Sequence, residues 1–156
     1  MNQYKSQHGF SLIELLIVVA IIGIIAAIAI PNLIASRRAS NEASATASIR
    51  NLTSSEATYA ATVGNGVYGD LSELRGQGLI DEVLGSGTKS GYNFAATPGV
   101  TGTLNVYVTG AAPASISVGT ATGTRQFTSD PAGVIYGDVA SSTVAPTATS
   151  GTPLGN

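Results

Sequence analysis

The sequence contains no cysteine, which excludes disulfides, thiolate catalysis and Cys-built zinc or iron–sulfur centres. It has a single histidine, His8, so a Ser-His-Asp triad and a His-based metal site have no ligand supply in the body of the chain. Charge is scarce as well: 10% of residues are charged, against a usual level of about 25%. Seven Lys and Arg stand against nine Asp and Glu, a formal net charge of −2. No basic surplus exists to displace counterions from phosphates, so the sequence gives no ground for direct nucleic-acid binding. No glycine-rich loop ending in Lys-Ser/Thr is present, so no nucleotide phosphate cradle is expected. The reading has no catalytic residues, no metal and no cofactor. The length of 156 residues suits one ordinary domain rather than two large ones.

What the chain does have is an apolar run. From Leu15 to Ile30 no side chain is charged or polar. Extended back to Phe10, the stretch measures about 21 residues, or roughly 31 Å as a helix, which matches a bilayer core. A helix apolar on every face has no side to give to water, so it belongs in lipid or among copies of itself. Glu14 breaks the pattern. A carboxylate at membrane depth costs at least ~2.5–3.5 kcal/mol and needs either water at the headgroups or a partner. Ahead of the run, Met1–Gly9 is short, polar and mildly basic through Lys5, like the n-region of an export signal. The positive-inside rule places it in the cytoplasm and the rest of the chain across the membrane.

Helical periodicity continues past Pro31. Ala35, Ala39, Ala43 and Ala47 recur every four residues, and Ala45, Ile49 and Leu52 form a stripe on a neighbouring face. No glycine lies between Ile24 and Val63. The pattern predicts one helix from about Phe10 to Ala61, roughly 78 Å long, with a kink where Pro31 removes a backbone donor. The triplet Asn51-Leu52-Thr53 reads as ordinary helix surface rather than as a glycosylated site.

The remainder reads as a small strand-and-turn domain. Asp70 is placed to cap a short helix, Leu71–Arg75, ended by Gly76. Leu79–Leu84 is a second short segment. Gly91–Ala95 and Leu104–Val108 alternate like half-buried strands. Arg125–Thr128 and Val134–Tyr136 flank the turn Ser129-Asp130-Pro131-Ala132-Gly133. From Ala140 the chain is rich in Ser, Thr, Ala, Pro and Gly, and reads as mobile. The resulting fold class is α+β: a long N-terminal helix packed at its C-terminal half on a small antiparallel sheet. The segments are a leader at 1–9, a membrane or filament-core helix at 10–31, and an amphipathic continuation at 32–61. A β-rich domain at 62–140 and a flexible tail at 141–156 follow.

Two ordinary readings compete. Ala27-Ile28-Ala29 offers a site for conventional signal peptidase, but Glu14 sits where an h-region should be wholly apolar. An anchored enzyme is the second, and the acids Asp70, Asp81, Asp130 and Asp138 are scattered as solvated surface usually is. A calcium site at Asp130 or Asp138 would need several oxygens converging on one point.

Gly9-Phe10-Ser11-Leu12-Ile13-Glu14, the aliphatic run behind it, and Gly23 and Pro31 within it resemble the N-terminus of type IV prepilins and of the pseudopilins of type II secretion. The resemblance covers about residues 5–60. It implies cleavage between Gly9 and Phe10 by a membrane prepilin peptidase, followed by N-methylation of Phe10. It implies an ion pair between Glu14 and the Phe10 amine of an adjacent subunit, and loosening of the helix between Gly23 and Pro31 within a filament. It also implies an inner-membrane assembly platform, a precursor in the bacterial inner membrane and a product in an extracellular pilus or periplasmic pseudopilus. The expected function is that of a pilus subunit serving adhesion, surface motility or DNA uptake, with a pseudopilin or a minor pilin as alternatives. Two departures stand out. Ser141–Asn156 has no Cys to close a C-terminal loop, and the chain has no Trp.

Overall fold

A computed structural model describes residues 9–101 and 104–154. Residues 1–8 of the expected leader, and the last two of the expected tail, lie outside the described residues. The chain divides into two compact units, Met1–Ser36 and Arg37–Asn156.

Helix α1 runs from Leu12 to Thr62 and carries Pro31 inside it without a break. The helix expected over about Phe10–Ala61 thus forms as one element across Pro31. Asn32 Nδ2 donates to Ile28 O at 3.2 Å, a side-chain bond to the backbone in the turn around Pro31. The first unit consists of the early part of this helix, and its aliphatic side chains are almost all exposed.

In the second unit, α1 presents a stripe of buried residues: Ala45, Ser48, Ile49, Leu52, Ser55 and Glu56. The spacing of three and four is that of one helix face. The rest of the core comes from elsewhere in the unit, including Leu74, Leu84, Tyr92, Phe94 and Phe127. Each such side chain contributes on the order of 1.5–3 kcal/mol by leaving water. Leu52 is fully buried and Thr53 Oγ1 reaches Ser129 Oγ at 3.2 Å, so Asn51-Leu52-Thr53 is not plain helix surface; only Asn51 faces out.

Two short helices follow. α2 (Leu71–Gly76) has the expected cap at Asp70, and the cap is reciprocal. Asp70 Oδ1 accepts the Glu73 N–H at 2.8 Å while Glu73 Oε2 accepts the Asp70 N–H at 2.8 Å. α3 (Glu82–Gly85) is capped by Asp81, whose other oxygen takes Lys89 Nζ at 2.6 Å.

Six strands then form one antiparallel sheet in chain order. They are β1 (Thr88–Lys89), β2 (Tyr92–Thr101), β3 (Leu104–Pro113), β4 (Arg125–Ser129), β5 (Ile135–Val139) and β6 (Thr152–Pro153). β2 and β3 pair from Tyr92↔Pro113 to Thr101↔Leu104, so both are longer than their alternating cores suggest. β4 meets β3 only from Thr109↔Ser129 to Ala111↔Phe127. Pro131 has no N–H to carry that ladder further.

The segment expected as a flexible tail is packed, so far as it is described. β6 pairs with β5, Ala145 is buried, and Leu154 lies against the core. Asn93 Nδ2 donates to Thr143 O at 2.7 Å. Gly110 brings its backbone so near that of Pro146 that a Cβ there would overlap it. Backbone bonds and close approach hold this segment, and neither shows in side-chain hydrophobicity.

Candidate functional site

The N-terminal helix is built to be covered. From Leu12 to Ile30 its side chains are apolar apart from Glu14, and its most apolar stretch has a mean hydropathy of 3.1 with no residue buried. Phe10 is 88% exposed and Ile24 66% exposed. A surface of this size and chemistry on a lone chain marks a membrane or protein contact.

Of the expected site residues, Gly9, Phe10 and Glu14 lie at the start of this segment. Gly9 and Phe10 are both exposed, and a side chain at position 9 would meet nothing within 4 Å. Ser11 is the residue just before α1. Its N–H donates to Glu14 Oε2 at 2.9 Å, and its carbonyl accepts the Leu15 N–H at 3.3 Å. Glu14 is therefore the third helical residue reaching back to the cap, half of a capping box, at the end of the helix where backbone N–H groups favour an anion. That local role was readable in Ser11-Leu12-Ile13-Glu14, yet the apolar context draws attention to the cost of the charge instead. Glu14 takes part in no ion pair among the described residues; the two pairs found there are Arg75–Glu82 and Lys89–Asp81. Gly23 lies in open space on α1, and Pro31 lies farther along the same helix.

The acids weighed for a metal are not brought together. Asp130 Oδ1 accepts the Ala132 N–H and Asp138 Oδ1 accepts the Val139 N–H, and no group of three potential ligands occurs among the described residues.

Two features of the second unit were not anticipated. Three polar side chains of α1 pin the loop before β4. Arg38 Nε donates to Ala121 O at 3.1 Å and Asn41 Nδ2 to Thr122 O at 2.8 Å. Glu42 Oε1 accepts both the N–H and the hydroxyl of Thr124 at 2.8 Å. A groove of about 320 Å³ lies there, lined by Arg38, Ile116, Val118, Ala121, Thr124 and Val139 among others. The second feature is Glu56, a fully buried carboxyl on the core stripe. Its signal was its position, four residues after Leu52 on the apolar face. Burial, opposed by one bond from the Gly69 N–H, pushes its pKa up to about 7. Burial likewise pushes the Tyr107 hydroxyl up to about 12, and raises Tyr92, whose hydroxyl donates to Arg125 O at 2.8 Å.

An exposed aliphatic helix opening on Gly-Phe-Ser-Leu-Ile-Glu, in one chain with a small antiparallel sheet, is a pilin-type arrangement. Residues 4–30 match the family model of the prokaryotic N-terminal methylation motif. The chain is 46% identical over 55 residues to the type IV wide pilus major component PilA4 of Thermus thermophilus; the match covers 35% of this chain and 42% of that protein. It is 48% identical over 52 residues to the type IV major pilin protein PilA of Myxococcus xanthus, covering 33% of this chain and 24% of the relative. The chain thus spans less than half the length of each of these curated relatives. No solved structure matches it. The two pilin matches span 55 and 52 residues of this chain, so the likeness to type IV pilins is one of segment and not of the whole length.

Proposed function

We propose that this chain is a structural subunit of a type IV pilus, polymerised through α1 after its leader is removed. The observation that carries the reading is the exposed aliphatic helix with one carboxylate, Glu14, near its start. Hydrolysis of the Gly9–Phe10 peptide bond by a prepilin peptidase releases the leader and leaves a new amine on Phe10, which is then methylated and remains cationic. The helix stays with the protein and anchors it in the inner membrane. On assembly the same surface leaves lipid for the flanks of other copies. In lipid that exchange is driven by packing and polar pairing rather than by release of water.

Glu14 sets the register. In a single chain its carboxylate is held by one backbone N–H. Offered the Phe10 amine of a neighbouring copy, it exchanges that bond for an ion pair in an apolar surround. Removing one partner of such a pair typically costs ~3–5 kcal/mol, so misregistered subunits are rejected. Head-to-tail contacts that do not close on themselves give an open helical polymer. Gly23 and Pro31 are poor residues for a helix interior, which suits local loosening between them as copies pack. The second unit governs adhesion, motility or DNA uptake.

Glu14→Gln tests the reading. It keeps an acceptor for Ser11 but removes the charge. Expected is a membrane-resident, correctly cleaved subunit with surface filaments reduced at least ~100-fold, the factor that ~3 kcal/mol corresponds to. Normal filament yield from Glu14→Gln would overturn the role given to Glu14. Cleaved protein that never leaves the envelope in the unaltered chain would turn the reading to a pseudopilin.

A further inference from the structure

Glu56 is fully buried, yet only half of its carboxyl group is served. Oε2 accepts the Gly69 N–H at 3.0 Å, and Oε1 has no hydrogen-bond partner among the described residues. Gly69 closes the connection from α1 to α2, which runs through Val63–Gly69 and turns by left-handed Asn65 and Gly66. The first half of this connection bonds back to the end of α1, through Gly64 N to Tyr59 O and Gly66 N to Ala60 O. Among the described residues its ties to the packed body of the unit are few. Asn105 Nδ2 donates to Gly66 O at 2.7 Å, the Tyr68 ring meets Tyr107 edge-on at 4.6 Å, and Glu56 holds Gly69. A segment with so few ties opens locally at far less cost than the whole fold.

The groups around Glu56 are acids and phenols. Asp70 and Glu73 act on it from the connection and α2, and both disfavour its charge. Tyr59 belongs to its own helix. Tyr107 faces it from β3, with Tyr68 and Asp130 acting on Tyr107 in turn. No cation acts on it among the described residues. Ionising Glu56 in the closed arrangement places a buried anion beside two carboxylates with one N–H to stabilise it. When the segment lifts, water reaches the carboxyl group and removes that penalty.

We propose that Glu56 is a proton-operated latch on the segment Gly64–Gly69: the neutral acid keeps the segment seated on α1 and β3, and ionisation releases it. The carbonyl oxygen of the neutral group still accepts from Gly69, so the seated form keeps its bond. With Glu56 at about 7 when closed and its ordinary 4.5 when open, the opening equilibrium rises up to about 70-fold between pH 5 and pH 8. The released segment carries exposed Asn65, Gly66 and Val67, so the change reaches the surface of the unit.

The test is amide hydrogen exchange on the full chain in detergent micelles at pH 5, 6, 7 and 8, with rates corrected for the pH dependence of free amides. The proposal expects protection at Gly69, whose N–H is bonded to Glu56, to fall by tens-fold from pH 5 to pH 8, while Ile49 and Leu52 change less than threefold. Glu56→Gln, which keeps an acceptor and cannot ionise, should abolish that fall. Glu73→Gln removes one of the like charges and should move the midpoint of the fall to lower pH. Should Glu56→Gln fail to fold, the Glu73→Gln shift carries the decision alone. Protection at Gly69 that is flat with pH in the unaltered chain, or that falls equally in Glu56→Gln, overturns the proposal, as does an unmoved midpoint in Glu73→Gln.

Discussion

Trimming Leu52 to Ala and trimming Leu16 to Ala change the same helix by the same atoms, and the structure assigns them opposite consequences. Leu52 is fully buried in the core of the second unit, whereas Leu16 is 61% exposed in the first. Deleting a buried leucine side chain to Ala typically costs about 2–5 kcal/mol, from lost transfer energy and the cavity left behind. The second unit, Arg37–Asn156, has roughly 120 residues, a size for which the unfolding entropy is about 0.25 kcal/mol per degree. A loss of ~3 kcal/mol therefore lowers its Tm by about 12 °C. Leu16→Ala removes no core contact and should stay within ~0.5 kcal/mol, or about 2 °C. Thermal unfolding of both full-length variants in the same detergent, followed by near-ultraviolet circular dichroism of the tyrosines, reads the difference. The reasoning fails if Leu52→Ala melts within about 3 °C of the parent, or if Leu16→Ala falls with it.

The glycines divide in the same manner. A Cβ at Gly110 would overlap the Pro146 backbone, so Gly110→Ala should cost about 1–3 kcal/mol and loosen the segment after Val139, read as amide exchange at Ser150 and Leu154. Gly23→Ala meets nothing within 4 Å and should instead firm α1 by about 1 kcal/mol, slowing exchange around position 23. The pH dependence of stability should be two-sided. Asp70 is held below its ordinary range by the Ser72 hydroxyl and the Glu73 N–H, and Asp81 by Lys89 and the Leu84 N–H. Their contributions are present above about 3.8 and are lost as pH falls through the lowered values. Glu56 acts in the opposite sense: its contribution is complete below 4.5 and is lost as pH rises through about 7, on the order of 2–3 kcal/mol between pH 5 and pH 8. Urea titrations from pH 3 to pH 8 should therefore show a maximum on the acid side of neutrality, and a steady rise from pH 5 to pH 8 would contradict the assignment of Glu56.

The parts of the fold legible in the sequence were those in which one local rule acts alone. Leu15–Ile30 has no polar face, Ala45, Ile49 and Leu52 keep helical spacing, and Asp70 and Gly76 bracket a short helix; α1 and α2 followed from these. The strands were under-read where pairing overrides composition. β2 continues through Ala96-Thr97-Pro98-Gly99, a poor strand sequence held by Tyr107, Val106 and Val108 opposite it. β3 continues through Gly110, Ala111 and Ala112 because β2 and β4 lie alongside. The segment Thr143–Leu154 offered few apolar side chains, and its packing rests on backbone bonds that no hydropathy pattern encodes. In the candidate site, Glu14 stood out because a carboxylate in an aliphatic run is conspicuous, whereas Gly9 and Phe10 drew attention only through the resemblance to prepilins. The ties from Arg38, Asn41 and Glu42 to Ala121–Thr124 bridge some eighty residues of sequence, and local spacing carries no trace of them.

The most direct test of the assembly reading is the intact mass and N-terminal sequence of the protein sheared from the cell surface. The account predicts a chain that begins at Phe10 with a methyl group on its amine and retains the whole of α1. A chain beginning near Ile30 would mean that an ordinary signal peptidase had removed the aliphatic helix, and the polymer built on that helix would not exist.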